Sequence, residues 1–73
     1  MSEYNCVFER IGRNHNVPPL YVNADDPDEI AYNVYSYARG YLASRDVEVT
    51  VNLETMRGSI NYGRFGEFAV VPL

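Results

Sequence analysis

The chain of 73 residues contains 47% hydrophobic and 14% aromatic residues, and its ten acidic and six basic residues give a net charge of −4. This length leaves room for only one hydrophobic core, so we predict one domain over residues 1–73, and the composition excludes a disordered chain. The negative charge disfavours a general affinity for nucleic-acid phosphates, because that affinity depends on many cations.

The first predicted element is a strand in the segment EYNCVFERI. The segment alternates between two sides, with Tyr4, Cys6 and Phe8 on one side and Val7 on the other. The side that carries the two aromatic residues and the cysteine is expected to face the core. A loop rich in glycine, asparagine and proline follows. Residues 19–22 (PLYV) leave two alternatives open, a short strand or merely extended chain, because proline disfavours a central strand.

A helix is predicted from Pro27 to about Ala43. Asp26 is placed to cap it and Glu29 stands three residues after the cap, where its charge complements the helix dipole. Gly40 inside this helix indicates a close approach of another segment. The apolar side chains that recur at helical spacing are Ile30, Ala31, Val34, Ala38, Tyr41 and Leu42.

Residues 44–46 are expected to lead out of the helix into a strand over residues 47–54, where valines and a leucine alternate with polar residues. Turns around residues 54–58 and 63–66 then separate two more strands, SINY and EFAVV. In SINY, Ile60 and Tyr62 are expected on one side of the strand.

Three consecutive strands with short connections predict an antiparallel meander. The fold class is therefore α+β, with one helix packed on a mainly antiparallel sheet of three to five strands in the order β-(β)-α-β-β-β.

The single histidine and the single cysteine are the candidates for catalysis. His15 lies in GRNHNVPP, a segment of turn-forming residues, whereas Cys6 belongs to the predicted core. A thiol buried in apolar surroundings is inert, and the nine-residue spacing matches no metal-site pattern. We therefore predict a non-enzymatic protein without a metal or cofactor, and interpret His15 as a surface residue at an interface.

Aromatic and arginine side chains on the helix are candidates for a protein interface. Tyr32 and Arg39 are predicted on the exposed side, and Tyr35 at its margin lies one turn from Arg39. Tyrosine and arginine are enriched among the residues that dominate binding energy at protein interfaces. The alternative is a solvated group in which Arg39 stacks on Tyr35. A homodimer would also explain aromatic side chains that a small domain leaves unburied.

A second hypothesis is binding of RNA or single-stranded nucleic acid. It rests on side chains near the predicted turns, namely Arg10, Arg13, Arg57, Arg64 and Phe65. Arginines would hold phosphates, and the phenyl ring would stack on a base. Because the net charge is negative, a protein partner is expected before a nucleic acid.

The sequence also predicts where the protein acts. No run of about 18 apolar residues predicts a membrane-spanning helix. The lone Cys6 excludes an internal disulfide, and the first ten residues lack the apolar segment of a secretory signal. A soluble cytoplasmic protein is therefore expected.

Three segments, FERIGRNHNVPPL, ARGYLASRDVEVTVNLE and GRFGEFAV, resemble small uncharacterised proteins encoded by phages of actinobacteria. The resemblance covers the general pattern of most of the chain and carries no catalytic residue. It implies an accessory protein that acts inside an infected bacterium by binding a host or phage protein.

Overall fold

The computed structural model describes residues 2–43 and 46–73, which form one helix and a curled sheet of five antiparallel strands. The elements in chain order are β1 (Ser2–Phe8), β2 (Leu20–Ala24), α1 (Pro27–Ala38), β3 (Val49–Asn52), β4 (Arg57–Ile60) and β5 (Gly66–Pro72). The strands lie side by side in the order β2-β1-β5-β4-β3. The predicted α+β class and the predicted order of elements along the chain are confirmed.

The hydrophobic core lies between α1 and the inner face of the sheet. Alternation places every second side chain of β1 and β5 on this face, so Cys6 and Phe8 are buried whereas Val7 is 43% exposed. The helix packs against the two edge strands, β2 and β3. The largest fully buried side chains are Phe68, Ile11, Ile30, Ile60, Val22, Val34, Val70 and Cys6.

The helix begins as its sequence predicts. The Asp26 carboxylate accepts a hydrogen bond from the backbone N–H of Glu29 at 2.9 Å, and Pro27 occupies the first helical position. This bond satisfies one of the N–H groups that the first turn leaves without a helical partner. Asp26, as the cap, and Asp28 and Glu29, in the first turn, therefore have a structural explanation.

The helix ends at Ala38 rather than at the predicted Ala43. The N–H groups of Gly40 and Tyr41 bond to the carbonyls of Tyr37 and Ala38, at 3.2 and 2.9 Å, which tightens the chain into turns. A Cβ atom added to Gly40 would meet nothing closer than 3.5 Å, so the predicted close approach there was wrong.

Residues 20–22 belong to a strand, which decides between the two alternatives that the sequence left open for residues 19–22. Leu20–Ala24 forms β2, which lies at the edge of the sheet and pairs with β1. Pro18 and Pro19 precede this strand, so they remove no hydrogen bond from the sheet.

The predicted meander is confirmed with different bounds. β3 covers Val49–Asn52 rather than residues 47–54, and the expected exit from the helix at residues 44 and 45 lies outside the described residues. The second turn begins at Asn61, two residues before its predicted start. Asn61 and Tyr62 have φ angles of 50° and 56°, so Tyr62 is 75% exposed and does not continue the side of Ile60, contrary to the prediction.

Candidate functional site

Cys6 and His15 lie in opposite environments. Cys6 is fully buried in β1, and this burial raises the pKa of its thiol to about 11. His15 is exposed in the loop between β1 and β2. The thiol is shielded from solvent whereas the imidazole is not, as expected of a core cysteine and a surface histidine.

Thiol labelling tests the burial of Cys6 directly. The raised pKa favours the neutral thiol in the folded state, so its contribution to stability is fully present below pH 9 and is lost as the pH rises towards 11. We expect the native protein to react with a chromogenic disulfide at pH 8 about 100-fold more slowly than the urea-unfolded chain. Equal rates in the two states would show an accessible thiolate.

Two residues of α1 and the residue that caps its C-terminal end form a group that we call the helix-face cluster: Tyr32, Tyr35 and Arg39. Tyr32 is 69% exposed, and the guanidinium carbon of Arg39 lies 5.6 Å from the ring centre of Tyr35. The predicted exposure of Tyr32 and Arg39 is confirmed, and so is the proximity of Arg39 to Tyr35. Stacking restrains a side chain that would otherwise sample many rotamers.

The fourth predicted interface residue, His15, has a different neighbourhood. Its loop is fixed to the helix through the Tyr37 hydroxyl, which donates to the carbonyl oxygen of Pro18 at 2.8 Å. Tyr37 and Tyr35 lie on opposite margins of the buried stripe, because two residues correspond to about 200° around a helix. His15 is therefore not grouped with the helix-face cluster.

A cleft of about 490 Å³ opens between the turn after β1 and the segment after α1. We call this cleft the arginine cleft, and its walls are cationic, aromatic and aliphatic. The residues that line it include Arg10, Arg13, Tyr41, Leu42 and Phe65. Arg64 adjoins the cleft, with its guanidinium carbon 5.8 Å from the ring centre of Phe65. Four of the five residues predicted for nucleic-acid binding thus come together.

Arg10 holds the two loops of the cleft in place. Its Nη1 donates to the carbonyl oxygen of Gly12 at 2.7 Å, and its Nη2 donates to that of Arg64 at 3.1 Å. The backbone N–H of Gly12 also donates to the carbonyl oxygen of Phe65 at 2.7 Å. Carbonyl oxygens satisfy the hydrogen bonds of a guanidinium but do not cancel its charge, so Arg10 contributes positive charge to the cleft.

Arg57, the fifth residue of the predicted set, does not line the arginine cleft. It lies in β4 on the exposed side of the sheet, where its Nη2 is 3.5 Å from a carboxylate oxygen of Glu9. Both side chains are largely exposed, so this ion pair contributes little stability.

Tyr41 and Leu42 are cleft residues that the sequence assigned to the helix stripe instead. Gly12, with φ of 62°, lets the turn approach them, since an added Cβ would lie 2.8 Å from Leu42 Cδ2. A glycine at a turn does signal a close approach, but the sequence does not show which segment approaches. The cleft as a whole was therefore missed.

The outer face of the sheet carries a further group, which we call the outer sheet patch: Val7, Tyr21, Val71 and Leu73, each at least 42% exposed. The Tyr21 hydroxyl bonds to the Glu3 carboxylate beside it, and this bond raises the pKa of Tyr21. Apolar residues in consecutive positions, such as Val70 and Val71, are the sequence signal for this patch, because one of the two must face outwards.

The part of the chain that the structure describes contains no group of three or more histidine, cysteine, aspartate or glutamate side chains arranged to hold a metal ion. Within those same residues, no helix combines the length and apolar character needed to cross a membrane. No protein-family model matches the chain, and neither does any curated protein or solved structure.

Proposed function

We propose that the protein is a small non-enzymatic binding protein that contacts another protein through the helix-face cluster. The observation that carries this proposal is the pairing of the exposed Arg39 with the half-buried Tyr35, on the same side of the helix as Tyr32, which is 69% exposed. A tyrosine ring supplies a large contact area at a low cost in conformational entropy, and a stacked guanidinium is restrained before it binds. The resemblance to phage proteins implies a bacterial host or phage protein as the partner, in the cytoplasm.

Self-association is a second form of the proposed function, and the outer sheet patch favours it. Val7 and Val71 belong to the neighbouring strands β1 and β5, and Leu73 and Tyr21 extend the same face. Exposed apolar side chains that share one face of a sheet are candidates for an interaction site on a soluble domain. A homodimer would cover this patch and leave the helix-face cluster open to the other protein.

Affinity capture tests the helix-face cluster. We expect the wild type to retain a protein from an actinobacterial lysate. Combining Tyr32→Ala with Arg39→Ala should lower the amount retained at least about tenfold, as for residues that dominate an interface. A matched control combines Glu54→Ala with Thr55→Ala, two exposed changes in the turn between β3 and β4. Equal retention by all three forms would contradict the proposal.

Sedimentation shows whether the helix-face cluster also takes part in self-association. Loss of the captured protein without a change in sedimentation assigns the cluster to a different protein. A shift from dimer to monomer in the double variant would instead assign the cluster to a second copy, and would contradict a dimer formed through the outer sheet patch. All four changes are at exposed side chains, so each melting temperature should stay close to that of the wild type.

A further inference from the structure

We propose that the arginine cleft binds a nucleotide unit, a phosphate together with its base, from a free nucleotide or from a single-stranded nucleic acid. The cleft lies between the turn after β1 and the segment after α1, so its residues are not those of the helix-face cluster. The two proposals are therefore independent of each other.

The walls of the cleft are cationic, because the described residues that line it include two arginines and no carboxylate. Arg10 and Arg13 line the cleft, and Arg64 adjoins it at Phe65 but also lines a second pocket together with Asp46 and Glu48. A guanidinium presents its N–H groups in a planar fork that fits two phosphate oxygens.

The net charge of −4 does not describe the walls of the cleft, because none of the described residues that line it is acidic. Four carboxylates cluster in residues 25–29, at the N-terminal end of α1, whereas residues 41–43 bring the chain to the cleft beyond its C-terminal end. A helix of 12 residues is about 18 Å long. This exceeds the Debye length of about 8 Å at physiological ionic strength, so the repulsion that those carboxylates exert on a bound phosphate is strongly screened.

The remaining walls suit a base. Phe65 and Tyr41 are partly buried aromatic side chains, and Leu42 adds an aliphatic surface. A base stacks on an aromatic ring whatever its identity, and the guanidinium of Arg64 beside Phe65 adds attraction for the π system. The volume of about 490 Å³ lies in the range of small-molecule sites, about 300–1,000 Å³, which fits one nucleotide and excludes a duplex.

The site is also held in its shape without a ligand. Besides the bonds of Arg10, the backbone N–H of Glu9 donates to the carbonyl oxygen of Glu67 at 3.1 Å, which joins the end of β1 to β5. Ile11 and Asn14 exchange two backbone hydrogen bonds, at 2.9 and 3.0 Å, and so close the turn that presents Arg13. A binding site fixed in this way avoids part of the entropy cost of ordering its loops.

Fluorescence anisotropy with a fluorescein-labelled single-stranded RNA of eight nucleotides tests the site at 20 mM salt. We expect binding, and expect Arg13→Ala and Arg64→Ala each to weaken it and to lower the slope of log affinity against log salt by about 0.7. Phe65→Leu keeps an apolar side chain against the core but removes the ring, and should weaken binding about fivefold or more. Arg57→Ala is the matched control and should leave binding unchanged.

Competition identifies the source and the chemistry of the ligand. Displacement of the RNA by adenosine monophosphate assigns the site to free nucleotides, and displacement only by unlabelled RNA assigns it to single strands. Inorganic phosphate or an octaglutamate peptide competing as well as adenosine monophosphate or RNA would overturn the proposal, since the base would then contribute nothing. Absence of binding at 20 mM salt, or equal losses for Arg57→Ala and Arg13→Ala, would also overturn it.

Discussion

Replacing Phe68 with alanine should leave most of the chain unfolded at 25 °C. Phe68 is fully buried in β5, its ring centre lies 5.2 Å from that of Phe8, and it pairs across the sheet with Gly58. Removal of a buried phenyl group costs about 3–5 kcal/mol of stability. A core in a domain of this size rarely supplies more than about 3–5 kcal/mol, so the loss equals the whole free energy of unfolding.

Urea unfolding followed by circular dichroism measures this effect. Val71→Ala is the matched control, because Val71 belongs to the same strand but is 42% exposed on the opposite face, and it should change the free energy of unfolding by less than about 1 kcal/mol. If Phe68→Ala unfolds cooperatively with a urea midpoint close to that of the wild type, the ring does not contribute substantially to the stability of the core.

The fold was predictable where a residue pattern depends on local geometry. Alternation in residues 66–72 places Phe68 and Val70 inside, and the capping group of Asp26 and Pro27 fixes the start of the helix. Both patterns are set by neighbours within a few residues, through the two-residue period of a strand and the unpaired N–H groups of a first turn. The α+β class follows from the order of such elements.

The end of the helix and the cleft were not predictable in the same way. Tyr41 and Leu42 continue the helical spacing, yet the chain turns after Ala38 and their side chains line the arginine cleft. Burial against the sheet satisfies an apolar side chain in a turn as well as in a helix, so periodicity does not locate the terminus. The hydrogen bond from Arg10 to the carbonyl oxygen of Arg64 joins residues that are 54 positions apart, and no local sequence pattern predicts such a contact.

Replacing Gly66 with alanine should destabilise the fold through a collision between backbones. Gly66 begins β5 with φ of 141°, a conformation that side chains rarely adopt, at a cost of about 1–3 kcal/mol. An added Cβ would also lie closer than 3.0 Å to the carbonyl oxygen of Arg10. A backbone carbonyl cannot rotate away as a side chain does, so either β5 or the segment around Arg10 must shift.

Gly63→Ala separates the two contributions to this loss. Gly63 has φ of 95°, but an added Cβ would meet only side-chain atoms of Glu67, the nearest at 3.9 Å. Gly63→Ala should therefore cost the conformational strain alone, about 1–3 kcal/mol, and Gly66→Ala should cost more. In thermal unfolding each kcal/mol corresponds to about 4–8 °C for a domain of this size. Equal losses for the two variants would contradict the close contact between Gly66 and Arg10, because the strain would then account for both.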